Sequence, residues 1–339
     1  MKTKKIAYKL HLWLGIPCSV FIFIICLTGS LFVFSDDIVN MSNRNISTVA
    51  PLSERVPLDD MVEHVKKSFP HHILLYCVNY KEENKATLFV VANKEEGQSY
   101  VYVNPYDGHI TGRSRMINFF SHVAHFHKQL FLGSIGSIIV LICSFIFLLE
   151  LITGIILWRP GKKKGLKFNM IHMHRTIGVY FIIVMSLLSV TGILLYLLPH
   201  NGIEAQKKEK TEMIRDSSMR AMSLNSIIEP LMQDHDVSVV RTELWNIAVS
   251  KKIQCIAGTR SGLVTFNGKP CFIDKYTGEK ITDNPELRQI ELRNTVRRLH
   301  VGDWLGWFGK FITFLTGLAG AFLAFSGIFI WCRKLKRRS

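Results

Sequence analysis

The sequence predicts an integral membrane α-helical protein: four transmembrane helices in two parallel repeats, with two small α+β domains outside the bilayer. Three observations predict this: four long apolar runs, the positions of the basic residues, and an internal repeat. Of 339 residues 48% are hydrophobic, and they are gathered into blocks rather than spread along the chain. The runs Leu12 to Phe34, Ser134 to Trp158, Ile177 to Leu198 and Phe311 to Trp331 are each long enough to cross a hydrocarbon core of roughly 30 Å. The first starts after basic residues, as a signal peptide would. It is long, however, and no small-x-small cleavage site closes it, so it reads as a retained span.

A formal charge of +16 would suit nucleic acid if the basic residues formed a patch. Instead they flank the spans. Lys2, Lys4, Lys5 and Lys9 precede the first run, Arg159, Lys162, Lys163, Lys164 and Lys167 separate the second from the third, and Arg333, Lys334, Lys336, Arg337 and Arg338 follow the fourth. The positive-inside rule makes all three segments cytoplasmic. The expected neighbour is therefore membrane lipid, with no nucleic acid, and both termini lie inside.

The expected domains follow: 1–35, N-terminus and first span; 36–120, first external domain; 121–158, helix extension and second span; 159–171, cytoplasmic basic loop; 172–199, third span; 200–298, second external domain; 299–332, fourth span; 333–339, basic tail. Strand-like runs at Ala86 to Ala92 and Gln98 to Val103, with an amphipathic helix near Leu58 to Ser68, give the external segments their α+β character.

A shift of 163 residues lays His11, Gly15, Thr28 and Gly29 on His174, Gly178, Thr191 and Gly192. A shift of 173 lays His127, Gly133, Gly136, Gly154 and Trp158 on His300, Gly306, Gly309, Gly327 and Trp331, with Thr153 opposite Ser326. Such repeats are related by an axis along the membrane normal. Outside the membrane, Tyr102 to Gly108 echoes Phe272 to Gly278 at an offset of 170, each a strand entering a turn. Cys77, Cys255 and Cys271 are the external cysteines; a Cys255–Cys271 bridge is left open by the sequence, and no C-x-x-C-H motif for covalent haem occurs.

The repeat and the topology sort four histidines into two pairs. His11 and His174 open the first and third spans on the cytoplasmic side, and His127 and His300 precede the second and fourth on the external side. Each face thus receives one histidine from each half, the ligand set of a bis-imidazole b-type haem. From His127 to Trp158 is about 46 Å if helical throughout, which puts the outer pair at or above the external head groups. His122, His125 and His172 are alternative ligands and keep a porphyrin-free metal site in view, although zinc usually takes three or four protein ligands. The Thr/Ser-Gly steps, with Gly15, Gly133, Gly136, Gly178, Gly306 and Gly309, would clear space beside a porphyrin or simply let helices pack. Arg175 on the inner side, and Lys310, Arg297, Arg293 and Arg298 on the outer, are candidate partners for haem propionates, with interfacial snorkelling as the alternative. Glu150, a carboxylate inside a span, is a candidate quinol or proton site.

The motifs His11-Leu12-Trp13-Leu14-Gly15, His127-Lys128-Gln129-Leu130, His174-Arg175-Thr176-Ile177-Gly178 and Leu299-His300 resemble, in this order, the PepSY-associated transmembrane protein family. Asn104 to Gly108 and Asp274 to Gly278 resemble PepSY strand-turn elements. The resemblance implies PepSY-like periplasmic domains and, as in some members, a bacterial inner-membrane reductase of ferric siderophores with two b haems between four helices. It therefore implies a haem-dependent oxidoreductase whose partners are a ferric siderophore or other ferric chelate and an electron donor, either quinol or a cytoplasmic reductant. No G-x-G-x-x-G fingerprint is present, so the donor is a separate molecule. The rival readings are a non-redox, membrane-anchored PepSY binding or regulatory protein, and a metal or siderophore transporter.

Overall fold

The computed structural model describes residues 2–158, 169–198, 221–248, 250–260, 266–281 and 284–337. Most of the expected basic loop, 159–168, and Arg338 lie outside the described residues. In chain order the first segment holds α1 (Lys2–Val33), α2 (Ser35–Ser42), α3 (Arg44–Ser47), α4 (Leu58–Ser68), β1 (Ile73–Tyr80), β2 (Thr87–Asn93), β3 (Gly97–Val103) and β4 (Ile110–Ser114). Then come α5 (Met116–Gln129), α6 (Gly133–Leu157), α7 (Met170–Tyr180), α8 (Ile182–Leu197), α9 (Leu224–Gln233), β5 (Val239–Glu243) and β6 (Lys252–Arg260). The chain ends with β7 (Phe266–Asp274), β8 (Lys280–Ile281), α10 (Pro285–Val301), a 3₁₀ turn (Asp303–Leu305) and α11 (Gly306–Leu335). Two compact units result, one of residues 1–34, 121–198 and 293–339 and the other of 35–120 and 199–292.

The first unit is helical because its sequence is apolar in runs that only a helix can carry through lipid with every backbone group satisfied. α1 and α6 are each long and apolar enough to span, as is the stretch Asp303–Leu335 that contains α11. The expected third span is not one helix. α7 and α8 meet at Phe181 with a bend of 65°, and no proline lies there. The two pieces follow different partners: α7 packs chiefly on α11, and α8 chiefly on α6. Leu151, Met185, Ala319 and Leu323 form the core beneath them. Small residues bring α1 onto α11: a Cβ on Gly320 would lie 2.7 Å from Cys26 Sγ, and Ser30 Oγ reaches Phe314 O at 3.2 Å.

The expected continuous helix from His127 to Trp158 is also broken. Leu130 and Phe131, at φ +50° and +58°, and Gly133, at φ +58°, reverse the chain between α5 and α6. Gly302 and Gly306 do the same before α11 at φ +86° and +59°. Side chains rarely adopt this region, and glycine supplies it without strain. Of the six glycines expected to clear space beside a porphyrin or to let helices pack, four lie close to other protein atoms. A Cβ on Gly136 or Gly309 would strike the carbonyl of Gln129 or Gly302 in the preceding turn, Gly15 faces Glu150, and Gly178 faces Leu323.

The second unit corrects the expectation of two separate domains. Both external segments contribute to one antiparallel sheet of order β4-β3-β2-β1-β5-β6-β7-β8. The join is β1 to β5, with Tyr76 opposite Glu243 and Tyr80 opposite Val239. Left alone, each four-stranded half would present an open edge strand; pairing removes both edges at once. The order reads the same from either end, as a two-fold axis between β1 and β5 requires. The strand-turn echo holds: Gly108 N–H and Gly278 N–H donate to Asn104 O and Asp274 O, both at 2.9 Å, with the two glycines at φ +71° and +73°.

One core serves both halves. Leu58, Met61 and Val65 of α4 and Leu224, Ile227 and Ile228 of α9 cover Cys77, Phe89, Val101, Cys255 and Cys271. Cys255 and Cys271 are direct register partners, yet both are free thiols. Burial pushes the Cys77 thiol up to about 12 and raises those of Cys255 and Cys271, so the three sulfurs pack as small apolar groups. The two covering helices cap each other. The Asp59 carboxylate accepts from Leu224 N at 2.8 Å and Asn225 N at 3.0 Å, and Asn225 Oδ1 accepts from Leu58 N at 3.4 Å. Loss of a capping side chain costs about 1–2 kcal/mol. Asp59→Ala should therefore lower the denaturant midpoint of the intact protein and speed amide exchange at the start of α9, on the opposite half of the sequence. Unchanged exchange there would show that the cap carries no stability.

Candidate functional site

Each of the four repeat-related histidines packs on a Thr/Ser-Gly step of the neighbouring helix in its own half. His11 Nδ1 lies 2.9 Å from Thr153 Oγ1, His174 Nδ1 2.7 Å from Ser326 Oγ, and His300 Nδ1 2.9 Å from Thr191 Oγ1. His127 Nδ1 lies 3.5 Å from Thr28 Oγ1 and 2.8 Å from Ile25 O. The following glycine clears the ring. The nearest atom to a Cβ built on Gly29 is His127 Cε1 at 2.8 Å, and on Gly192 it is His300 Cε1 at 3.3 Å. Gly154 and Gly327 hold looser places, 3.7 and 3.8 Å from His11 and His174.

The carbonyls beside these hydroxyls favour one histidine tautomer. A hydroxyl has a single proton to donate. Thr28, Thr153 and Thr191 spend it on the carbonyl one turn back, at 2.6, 2.8 and 2.7 Å, and Ser326 on Leu323 O at 3.1 Å. With its proton so engaged, each oxygen is left to accept, the arrangement that puts the imidazole proton on Nδ1. The Ile25 carbonyl imposes the same on His127. Nε2 keeps its lone pair on all four rings, the form in which imidazole binds metals.

The rings then meet across the halves. His11 and His174 have ring centroids 6.3 Å apart and nearly perpendicular planes, and His127 and His300 have centroids 6.3 Å apart with planes inclined at 49°. Two metal–imidazole bonds of about 2 Å on opposite sides of one ion would put ring centres about 6 Å apart. Two protein donors per pair suit a group that brings its own in-plane ligands, as porphyrin does. Among the described residues no cluster of three or more His, Cys, Asp or Glu side chains is placed to hold a metal ion. His127 packs beside Ile25 and Gly29, inside the last turns of α1, and His300 beside Gly192 of α8. The break before α6 lowers His127 to that depth.

The alternative ligands fall away from the pairs. His122, His125 and His172 are exposed; His125 contacts Gln129 at 3.4 Å, and the His122 ring lies 6.1 Å from that of Phe131 with the planes tilted at 51°. Glu150 is drawn into the site, its Oε2 2.8 Å from His11 Nδ1, while its buried Oε1 has no hydrogen-bond partner. Of the candidate propionate partners, Arg175 is exposed and Arg297 half-buried. Arg293 donates to Leu195 O and Leu198 O at 2.9 and 2.8 Å, closing the end of α8. Lys310 is buried against Asp303 at 3.5 Å. Lys128 was not foreseen. It lies within electrostatic reach of Arg293, Arg297 and His300, and it is visible in the sequence only as the residue following a paired histidine.

A family model for the PepSY-associated TM region matches residues 8–334. The chain belongs to that family. The match runs from the second turn of α1 to the end of α11 and includes all four paired histidines. Among curated proteins nothing matches the chain. In this PepSY-associated membrane protein the Thr/Ser-Gly steps were legible as repeated small residues, but their role as imidazole acceptors needed the fold.

The close fit at Gly29 is open to test. Gly29→Ala would drive a methyl into His127, and overpacking of this kind costs about 1–3 kcal/mol. Gly154→Ala has van der Waals room. In detergent, the first variant should unfold at lower temperature than the parent and the second close to it; equal loss from both would remove the distinction.

Proposed function

We propose that this chain is a di-haem b electron-transfer protein of the bacterial inner membrane, acting as a ferric-chelate reductase. In this reading its four helices form two parallel repeats, α7 and α8 together serve as the third span, and the basic flanks face the cytoplasm. The observation that carries it is the state of the histidines: two pairs, each with Nδ1 tied back to its own half and Nε2 left with its lone pair, at one and the same centroid spacing. A haem bound at such a pair supplies reversible one-electron carriage. His11 and His174 would hold the inner haem, and His127 and His300 the outer one. Arg175 on one side, and Arg297 and Lys128 on the other, place positive charge where propionates would need it. Along α1, His11 and Ile25 are roughly 21 Å apart, so one pair alone does not bridge the hydrocarbon core.

Electrons would enter from quinol or a cytoplasmic reductant, with Glu150 as the candidate proton acceptor, and leave to a ferric siderophore or similar chelate outside. Reduction frees the iron because Fe(II), with lower charge, is held less strongly by hard oxygen donors. Purified protein made with ample haem should yield two non-covalent haems per chain by acid-acetone extraction and pyridine haemochrome. His11→Ala and His174→Ala should each remove one and spare the other, which His300→Ala should remove. Protein without haem would leave the chain as a non-redox PepSY anchor.

Direction is tested in oriented vesicles. With reductant on the cytoplasmic face and a ferric chelate plus an Fe(II) trap outside, intact protein should register iron and His174→Ala should stay at background. Full-rate reduction by a His174→Ala protein shown to lack the inner haem would mean that the outer pair is fed from its own side.

A further inference from the structure

The two halves present their histidines alike except at one point. His127 and His300 each combine a threonine hydroxyl with the backbone one turn earlier, at Ile25 and at the repeat-equivalent Leu188. His174 has Ser326. His11 shares its one Nδ1–H between Thr153 Oγ1 at 2.9 Å and a carboxylate oxygen of Glu150 at 2.8 Å. The 173-residue shift lays Glu150 on Leu323. The surroundings keep this equivalence, since Gly15 faces Glu150 and its counterpart Gly178 faces Leu323. A leucine in one half and a buried carboxylate in the other is, among the described residues, the one departure from symmetry at the Nδ1 atoms of the four rings that introduces an acidic group.

We infer that Glu150 is a positioning residue that makes the His11 pair the more reducing of the two haem sites. This rests on the di-haem reading above. A carboxylate accepting from Nδ1–H strengthens the imidazole as a donor through Nε2, and its charge favours the ferric over the ferrous state. The effect reaches one haem only, because among the described residues no other paired histidine has a carboxylate on its ring. Two sites built by near-identical repeats would otherwise hold electrons almost equally. With Glu150 on His11, transfer from the His11 pair to the His127 pair runs downhill.

Glu150→Gln keeps the volume and an acceptor oxygen but removes the charge. Gly15→Ala leaves the charge in place and displaces it, because the new Cβ would fall 2.8 Å from Glu150 Oε2. In a spectroelectrochemical titration of the haem-loaded protein, parent should show two resolved waves. The lower should rise in Glu150→Gln by at least a tenfold change in the reduced-to-oxidised ratio, which is about 59 mV for one electron, with the upper wave unmoved. Gly15→Ala should shift the same wave in the same direction, and low-temperature spin resonance should show altered g-values for one ferric haem only. Two bound haems whose potentials are unchanged in both variants would overturn the tuning role while leaving the di-haem reading intact. Loss of the inner haem from both variants would also overturn it, making Glu150 a packing residue. Parent protein with no haem at all would instead defeat the reading on which it rests.

Discussion

The helical unit depends on one hydrogen bond repeated four times: an imidazole Nδ1–H given to an oxygen on the neighbouring helix. In lipid such a donor has no water to turn to, and an unmade bond there is costly. Satisfying it constrains three things together. A Thr or Ser must sit opposite, that hydroxyl must spend its own proton on its helix, and the next residue must be glycine at the tighter sites. Thr28-Gly29, Thr153-Gly154, Thr191-Gly192 and Ser326-Gly327 meet all three. The same bond bears on which nitrogen keeps its lone pair, so helix packing and imidazole tautomer are linked through a single contact.

Much of this was legible from the sequence because it is periodic or repeated. Apolar runs locate the spans, and self-comparison selects His11, His127, His174 and His300 from thirteen histidines. What escaped was local backbone. Nothing in Leu130-Phe131-Leu132 announces a left-handed turn, since two bulky residues there adopt positive φ, and so the sequence reads as one straight helix where the structure has two. The bend at Phe181 was hidden for a related reason: with no proline or glycine at that residue, it comes from α7 and α8 packing on different helices. Glu150 could be singled out as an unusual intramembrane carboxylate, but its partner depended on which turn of α1 faced α6.

The sheet shows the opposite balance. Its strands and turns were readable, down to the matched glycines at 108 and 278, while their arrangement was not. Sequence pattern says how a segment folds but not what covers its last edge. The outcome follows from edge chemistry: two like half-sheets each expose the first strand of their own meander, and antiparallel pairing of those two strands satisfies both. The shared core and the Asp59–Asn225 exchange of caps then make the two external segments one cooperative body.

That pairing sets an order of events during synthesis. The partner of Tyr76 is Glu243, so β1 leaves the ribosome long before its neighbour exists, and the intervening chain includes both α6 and the α7–α8 pair. Until those have been threaded and the second external segment has followed, the first half-sheet keeps an unpaired edge and a half-covered core. Contacts so distant in sequence form slowly, and open edges invite other chains. The sheet therefore closes only when chain from both sides of the helical stretch has been brought together.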